Sequence, residues 1–122
     1  MSIELVPRPS DDLPPVPVQD AFAVLVCHDT GHPTVRLTGE VDLTNADTVS
    51  EAFRALADVG EQRVDLDFSG VTFMDSTGIR SLLEGIGLGL DLRIVATSPR
   101  VARVLEIAGM NAILDTQQSL AG

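Results

Sequence analysis

Lysine, tryptophan and tryptophan-like bulk are missing from this 122-residue chain: it has no Lys, no Tyr and no Trp, and only one cysteine, Cys27. A single cysteine excludes an intrachain disulfide, and with it the stapled scaffold of small exported domains, so a reducing cytoplasm is the expected setting. The only aromatics are four phenylalanines, so a core has to be built from Val, Leu, Ile and Ala. Positive charge is scarce. Eight arginines face 18 Asp and Glu, for a formal net charge of −10. Those arginines (Arg8, Arg36, Arg54, Arg63, Arg80, Arg93, Arg100 and Arg103) are scattered and form no basic run. An acidic surface repels phosphate backbones and anionic lipid, so neither direct nucleic-acid binding nor membrane binding is expected. No stretch approaches the ~18 apolar residues of a membrane span. Met1 to Gln19 has neither a basic start nor an apolar run, so no secretion leader is expected there.

What is present reads as one α/β domain behind an irregular arm. Five of the seven prolines fall in residues 1–20 (Pro7, Pro9, Pro14, Pro15 and Pro17), with Asp11 and Asp12 between them. Proline fixes φ and removes a donor, so a flexible, acidic, Pro-rich N-terminal arm is expected over 1–20 and a folded domain over 21–118. Phe22 to Cys27 is a short apolar run and Thr34 to Thr38 alternates, with turn chemistry at Asp29 to Pro33 between them, which predicts a hairpin. Gly39 to Leu43 reads as a connection. Thr44 is the expected N-cap of a first helix, with Asp47 at its positive end, Val49, Ala52, Phe53 and Leu56 on one face and Gly60 as the stop.

The second half repeats the alternation of strand and helix. Val64, Leu66 and Phe68 alternate with Asp65 and Asp67 as a strand, which Ser69-Gly70 is expected to break, and Val71 to Asp75 then reads as a link. A second helix is predicted from Ser76 to near Gly87, with Ile79, Leu82, Leu83 and Ile86 as its apolar face. Leu92 to Ala96 reads as a buried strand. Ser98-Pro99 opens a third helix, with Val101, Val104, Leu105 and Ala108 inward and Gly109 as the stop. Ile113 and Leu114 are candidates for a last short strand. The expected architecture is a mixed sheet of four to five strands covered by helices.

The chemistry concentrates at Phe73-Met74-Asp75-Ser76-Thr77-Gly78. First-turn amides of a helix lack intrahelical acceptors and carry partial positive charge. Ser76 as N-cap would put a hydroxyl at that pole, where a phosphate is well received, and Gly78 would leave room for another backbone. The plainer reading is that Ser76 only caps the helix and Asp75 is a solvated loop acid. No enzyme signature is present. The Gly-x-Ser-x-Gly elbow and the Gly-x-x-x-x-Gly-Lys phosphate loop are both missing. Cys27, His28 and His32 fit no zinc spacing, so no metal and no cofactor is expected.

Four ordered segments resemble the STAS domain of bacterial anti-sigma factor antagonists. They are Leu37 to Asp42 (Leu-Thr-Gly-Glu-Val-Asp), the strand Val64 to Ser69, the loop Phe73 to Gly78, and Ser98-Pro99 with Val104-Leu105 and Ala108-Gly109. The resemblance spans about Ala21 to Leu114. It implies that Ser76 is the phosphoacceptor of a serine kinase that is itself the anti-sigma factor. The unphosphorylated form would bind that kinase and free the sigma factor, the phosphorylated form would release it, and a PP2C-type phosphatase would reset the cycle. Glu40, Asp42, Asp75, Thr77, Gly78 and Arg80 would form the partner-facing surface. The chain departs from the family pattern in a shorter, glycine-rich stretch from Ser76 to Ser98, in a longer arm, and in Arg80, where many relatives have a small residue. Two other readings follow from the same residues. One is an unphosphorylated STAS scaffold or subunit in a stress-signalling or lipid-transport assembly, and the other is a small hydrolase using Ser76.

Overall fold

The computed structural model describes residues 21–28 and 31–114; the expected arm over 1–20 and the domain end at 115–118 lie outside them. Strands β1 (Ala23–Cys27) and β2 (Thr34–Val41) are followed by helix α1 (Ala46–Asp58), strand β3 (Arg63–Met74), helix α2 (Ser76–Gly87), strand β4 (Asp91–Thr97) and helix α3 (Pro99–Ile107). The four strands form one sheet in the order β1-β2-β3-β4. The hairpin partners β1 and β2 are antiparallel, while β2, β3 and β4 run parallel and are joined through α1 and α2, since parallel neighbours require crossovers.

One face of this sheet is apolar and covered. Val35, Leu37 and Val41 of β2, Val64, Leu66 and Phe68 of β3, and Leu92 and Ile94 of β4 form the core with Val49, Phe53 and Leu56 of α1 and Val101 and Leu105 of α3. The opposite face carries charge pairs: Arg36 with Asp67 at 3.2 Å, Arg63 with Asp65 at 3.0 Å, His32 with Asp65 at 2.9 Å and Arg93 with Asp91 at 3.1 Å. Their arginines reach solvent while the carboxylates of Asp65 and Asp67 are largely covered; the pairs keep that face polar.

Strands β2 and β3 are longer than the sequence predicts. The segment Gly39 to Val41 stays in β2, and β3 runs through Ser69-Gly70 to Met74. Two bulges explain how. Pairing steps from Arg36↔Asp67 to Thr38↔Gly70, then from Gly39↔Val71 to Glu40↔Phe73, so β3 twice carries one extra residue. Each extra residue reverses the alternation, which is why Phe68, Val71 and Met74 all face the core. At the first bulge the Asp67 carboxylate accepts from both the backbone N–H of Ser69 (2.9 Å) and its hydroxyl (2.6 Å). Burial alone would raise the Asp67 pKa, but these bonds and Arg36 outweigh it and hold the carboxyl below the usual range. Gly70 has no room for a side chain, because a Cβ would lie 2.8 Å from Thr38 Cγ2.

Helix α2 spans the predicted residues, but its buried face is Gly78, Ser81, Leu82 and Gly85. Of the expected apolar face only Leu82 is fully inside; Ile79 is half-buried, and Leu83 and Ile86 are 52% and 40% exposed. Small residues let α2 approach its neighbours closely. A Cβ on Gly78 would sit 2.6 Å from Met74 Cγ, and one on Gly85 would sit 2.9 Å from the Phe53 ring. Ser81 Oγ donates to the Ala46 carbonyl at 2.9 Å and receives the Ser50 hydroxyl at 3.0 Å, so the buried hydroxyls that bridge α2 to α1 are paired.

The third helix follows its sequence signals. Ser98 Oγ accepts from Val101 N at 3.3 Å and donates to the Val71 carbonyl at 3.2 Å, with Pro99 in the first turn. Ala108 is exposed rather than inward because α3 ends at Ile107. Ile113 and Leu114 do not form a strand. Asn111–Ile113 is a single 3-10 turn, and Leu114 makes one isolated bridge to Ile94. Among the described residues no helix is long and apolar enough to cross a membrane.

The two glycines near the end of α2 give opposed expectations. Gly85→Ala gains helix propensity of up to ~1 kcal/mol but overpacks against Phe53 and Leu92, for a net loss of about 1 kcal/mol. Gly87→Ala meets nothing within 4 Å and is expected to add about 0.4–1 kcal/mol. Urea unfolding of the two variants checks both signs.

Candidate functional site

The C-terminal ends of β2 and β3 lie side by side, with Val41 paired to Met74 and Asp75 N donating to the Val41 carbonyl at 3.3 Å. This register sets Asp42 beside Asp75. Each aspartate then folds the chain over itself in the same way. Asp42 Oδ1 accepts from Thr44 N (3.0 Å) and Thr44 Oγ1 (2.6 Å), and Asp75 Oδ1 accepts from Thr77 N (2.9 Å) and Thr77 Oγ1 (2.5 Å). In both Asp-x-Thr turns the middle residue, Leu43 or Ser76, stands exposed.

The N-cap of α2 is therefore Asp75 and not Ser76. Asp75 is extended at φ −109° and ψ −167°, and its carboxylate takes the amide of the second helical residue, the ordinary task of a capping side chain. Ser76 becomes the first residue of the helix. Its hydroxyl makes no hydrogen bond among the described residues. The neighbouring Thr77 hydroxyl is half-buried and tied to Asp75. Of the two adjacent hydroxyls, Ser76 alone is free to react. The hydroxyl of Thr77, its amide and that of Gly78 hold the Asp75 carboxyl below the usual range against a smaller opposing effect of burial. Asp75 is thus anionic at neutral pH and stays a cap.

The remaining expected site residues fall in three places. Glu40 is exposed on β2 opposite Phe73, and its carbonyl accepts from Asn45 Nδ2 at 2.9 Å. Asp42 is half-buried and organises the turn into α1. That helix is entered through Asn45 rather than the expected Thr44, because Thr44 is engaged with Asp42; the Asn45 side chain makes no capping bond and instead accepts from Asp42 N at 3.0 Å. Gly78 is buried, and the groups close to it are the chain's own Met74 and Val41 side chains. Arg80 is exposed on α2 and has no ion pair or hydrogen bond among the described residues.

Sequence reasoning passed over Leu43, 78% exposed in the first Asp-x-Thr turn, and the outward placement of Leu83. The repeated Asp-x-Thr spacing at two strand ends was the signal available for the first. Elsewhere, His32 is occupied by Asp65 and Cys27 is half-buried on β1; among the described residues no group of three or more His, Cys, Asp and Glu could hold a metal ion.

A family model described as "Mlab, STAS domain" matches residues 25–115. The chain belongs to the STAS domain family. The resemblance carried by the four sequence segments is borne out at that level, as is the α/β fold. Solved structures share the fold. An anti-sigma factor antagonist from Mycobacterium paratuberculosis is 23% identical with a TM-score of 0.68, covering 78% of this chain and 84% of its own. The anti-sigma factor antagonist SpoIIAA in its unphosphorylated form is 21% identical with a TM-score of 0.63, covering 78% and 86%. The Bacillus cell fate determinant SpoIIAA in its phosphorylated form is 20% identical with a TM-score of 0.59, covering 78% and 89%.

The cap generates a prediction for acid. The folded pKa of Asp75 lies below its unfolded value, near 4. Its stabilising contribution is therefore complete above that value and lost as pH falls through the folded pKa. Asp75→Ala is expected to cost about 0.5–2 kcal/mol at neutral pH, and the gap between variant and parent to narrow below about pH 4. Denaturant unfolding at pH 7 and pH 3 checks this; a gap independent of pH contradicts it.

Proposed function

We propose that this STAS domain is an anti-sigma factor antagonist that works in the cytoplasm by binding rather than by turnover. Its unphosphorylated form binds an anti-sigma factor serine kinase and so frees a sigma factor. Phosphorylation on Ser76 releases the kinase, and a PP2C-type phosphatase restores the binding form. The observation that carries this reading is the free, exposed hydroxyl of Ser76 on the first turn of α2, with its neighbour Thr77 locked to the capping Asp75.

The electrostatics of the site supply the switch. A phosphate adds about −1.5 to −2 charge at neutral pH. At Ser76 that charge enters a surface already holding Asp75 and, at the adjoining strand end, Asp42 and Glu40. A kinase surface fitted to a small hydroxyl and to these carboxylates then meets an excess of negative charge and a group costly to desolvate. A change of about 3 kcal/mol weakens binding roughly a hundredfold. The fold need not move, because Asp75 and Thr77 satisfy the cap with or without the phosphate.

A second reading has an observation of its own, since the matching family model carries the Mlab description. In that reading the chain is an unphosphorylated STAS scaffold or subunit of a stress-signalling or lipid-transport assembly. Incubation of the purified protein with ATP, magnesium and anti-sigma kinases of the same cell separates the two. Intact mass is expected to rise by one phosphate in the parent and not in Ser76→Ala, and the phosphorylated protein to lose the kinase. Stable binding to such a kinase without any phosphate uptake contradicts the switch and supports the scaffold.

A further inference from the structure

We propose that Arg80 receives the phosphate once Ser76 carries it, forming an ion pair within the first two turns of α2; this rests on the reading of Ser76 as the phosphoacceptor. Ser76 and Arg80 are four residues apart on a continuous helix, and both are exposed. Side chains at that spacing are neighbours on the helix surface, with Cβ atoms roughly 5–6 Å apart, and an anion placed N-terminal to its cation is the favourable order. A guanidinium also matches phosphate geometry, offering two parallel N–H donors.

The competition for Arg80 is weak. It has no partner among the described residues. The next carboxylate along the same row, Glu84, faces Arg54 of α1 at 3.9 Å. The charges at the adjoining cap and strand end are negative: Asp75 at the cap, with Asp42 and Glu40 at the end of β2. In this acidic surrounding Arg80 is the cation within one helical turn of Ser76. Modification then changes the docking face twice. It adds an anion, and it withdraws an arginine that was free to meet the partner.

The test uses the full chain with phosphoserine installed at position 76 during translation, so it does not depend on any kinase. Phosphorus NMR follows the second ionisation of that phosphate in the parent, in Arg80→Lys and in Arg80→Gln. The acidic neighbours are the same in all three and cancel. With Arg80 the midpoint is expected to lie about 0.15–0.4 pH unit below that of Arg80→Gln, with Arg80→Lys between them. The difference is expected to shrink at high salt. The unmodified Arg80→Gln protein is expected to melt with the parent, since the side chain is exposed and unpaired. Equal midpoints in all three proteins overturn the proposal. A kinase that fails to modify Ser76 counts against the proposed function and leaves this measurement as it stands.

Discussion

The close approach of α2 to α1 and the sheet is the constraint on which the rest of the structure depends. Gly78, Ser81 and Gly85 make it possible, with Met74, Val41 and Phe53 occupying the space that larger side chains would need. Interiors pack at crystal-like density, so such a contact fixes a helix within narrow limits. The N-terminus of α2 is thereby pinned over the ends of β2 and β3. Asp75 can cap it there, and Ser76 is held on the surface. The same packing turns Leu83 and Ile86 outward and keeps Ile79 half-buried against the core, so one side of α2 serves the core while the other leaves apolar surface.

Two features of the structure bear on that serine. The first is geometric: an Asp-x-Thr turn consumes the Thr77 hydroxyl and two amides, and leaves the middle residue free. The second is electrostatic. The strand ends gather Glu40, Asp42 and Asp75, against which Arg80 is a lone nearby cation among the described residues. Under the proposed switch, an added phosphate would be felt strongly in such a place, and affinity would change without a change of fold. The charge pairs on the open face of the sheet play no part in this; they keep the uncovered side polar.

Much of the fold was legible in the sequence. The helices α1 and α3 follow their apolar spacing, and Ser98-Pro99 marks the start of α3 because cap chemistry is local. The misreadings have a common cause in contacts that are distant along the chain. Ser69-Gly70 looks like a break, but the Asp67 carboxylate bridges a bulge and β2 requires the glycine, neither of which shows in local pattern. The bulky residues of α2 predict one buried face, whereas packing selects the small ones. Ser76 was expected to cap the helix; the extended conformation of Asp75 at the end of β3 gave that task to the aspartate. The placement of Ser76 and Thr77 at the start of α2 was legible because Asp-Ser-Thr-Gly precedes an apolar helical spacing.

In the proposed switch, a phosphate on Ser76 changes what the surface binds and leaves the fold alone. The direct measurement compares the full chain with and without phosphoserine at position 76, by its affinity for the proposed anti-sigma kinase partner and by its backbone amide NMR spectrum. The account predicts roughly a hundredfold loss of affinity, with spectral changes confined to Asp75 through Arg80 and the adjoining end of β2. Equal affinity, or a loss accompanied by shifts throughout the sheet, would contradict it.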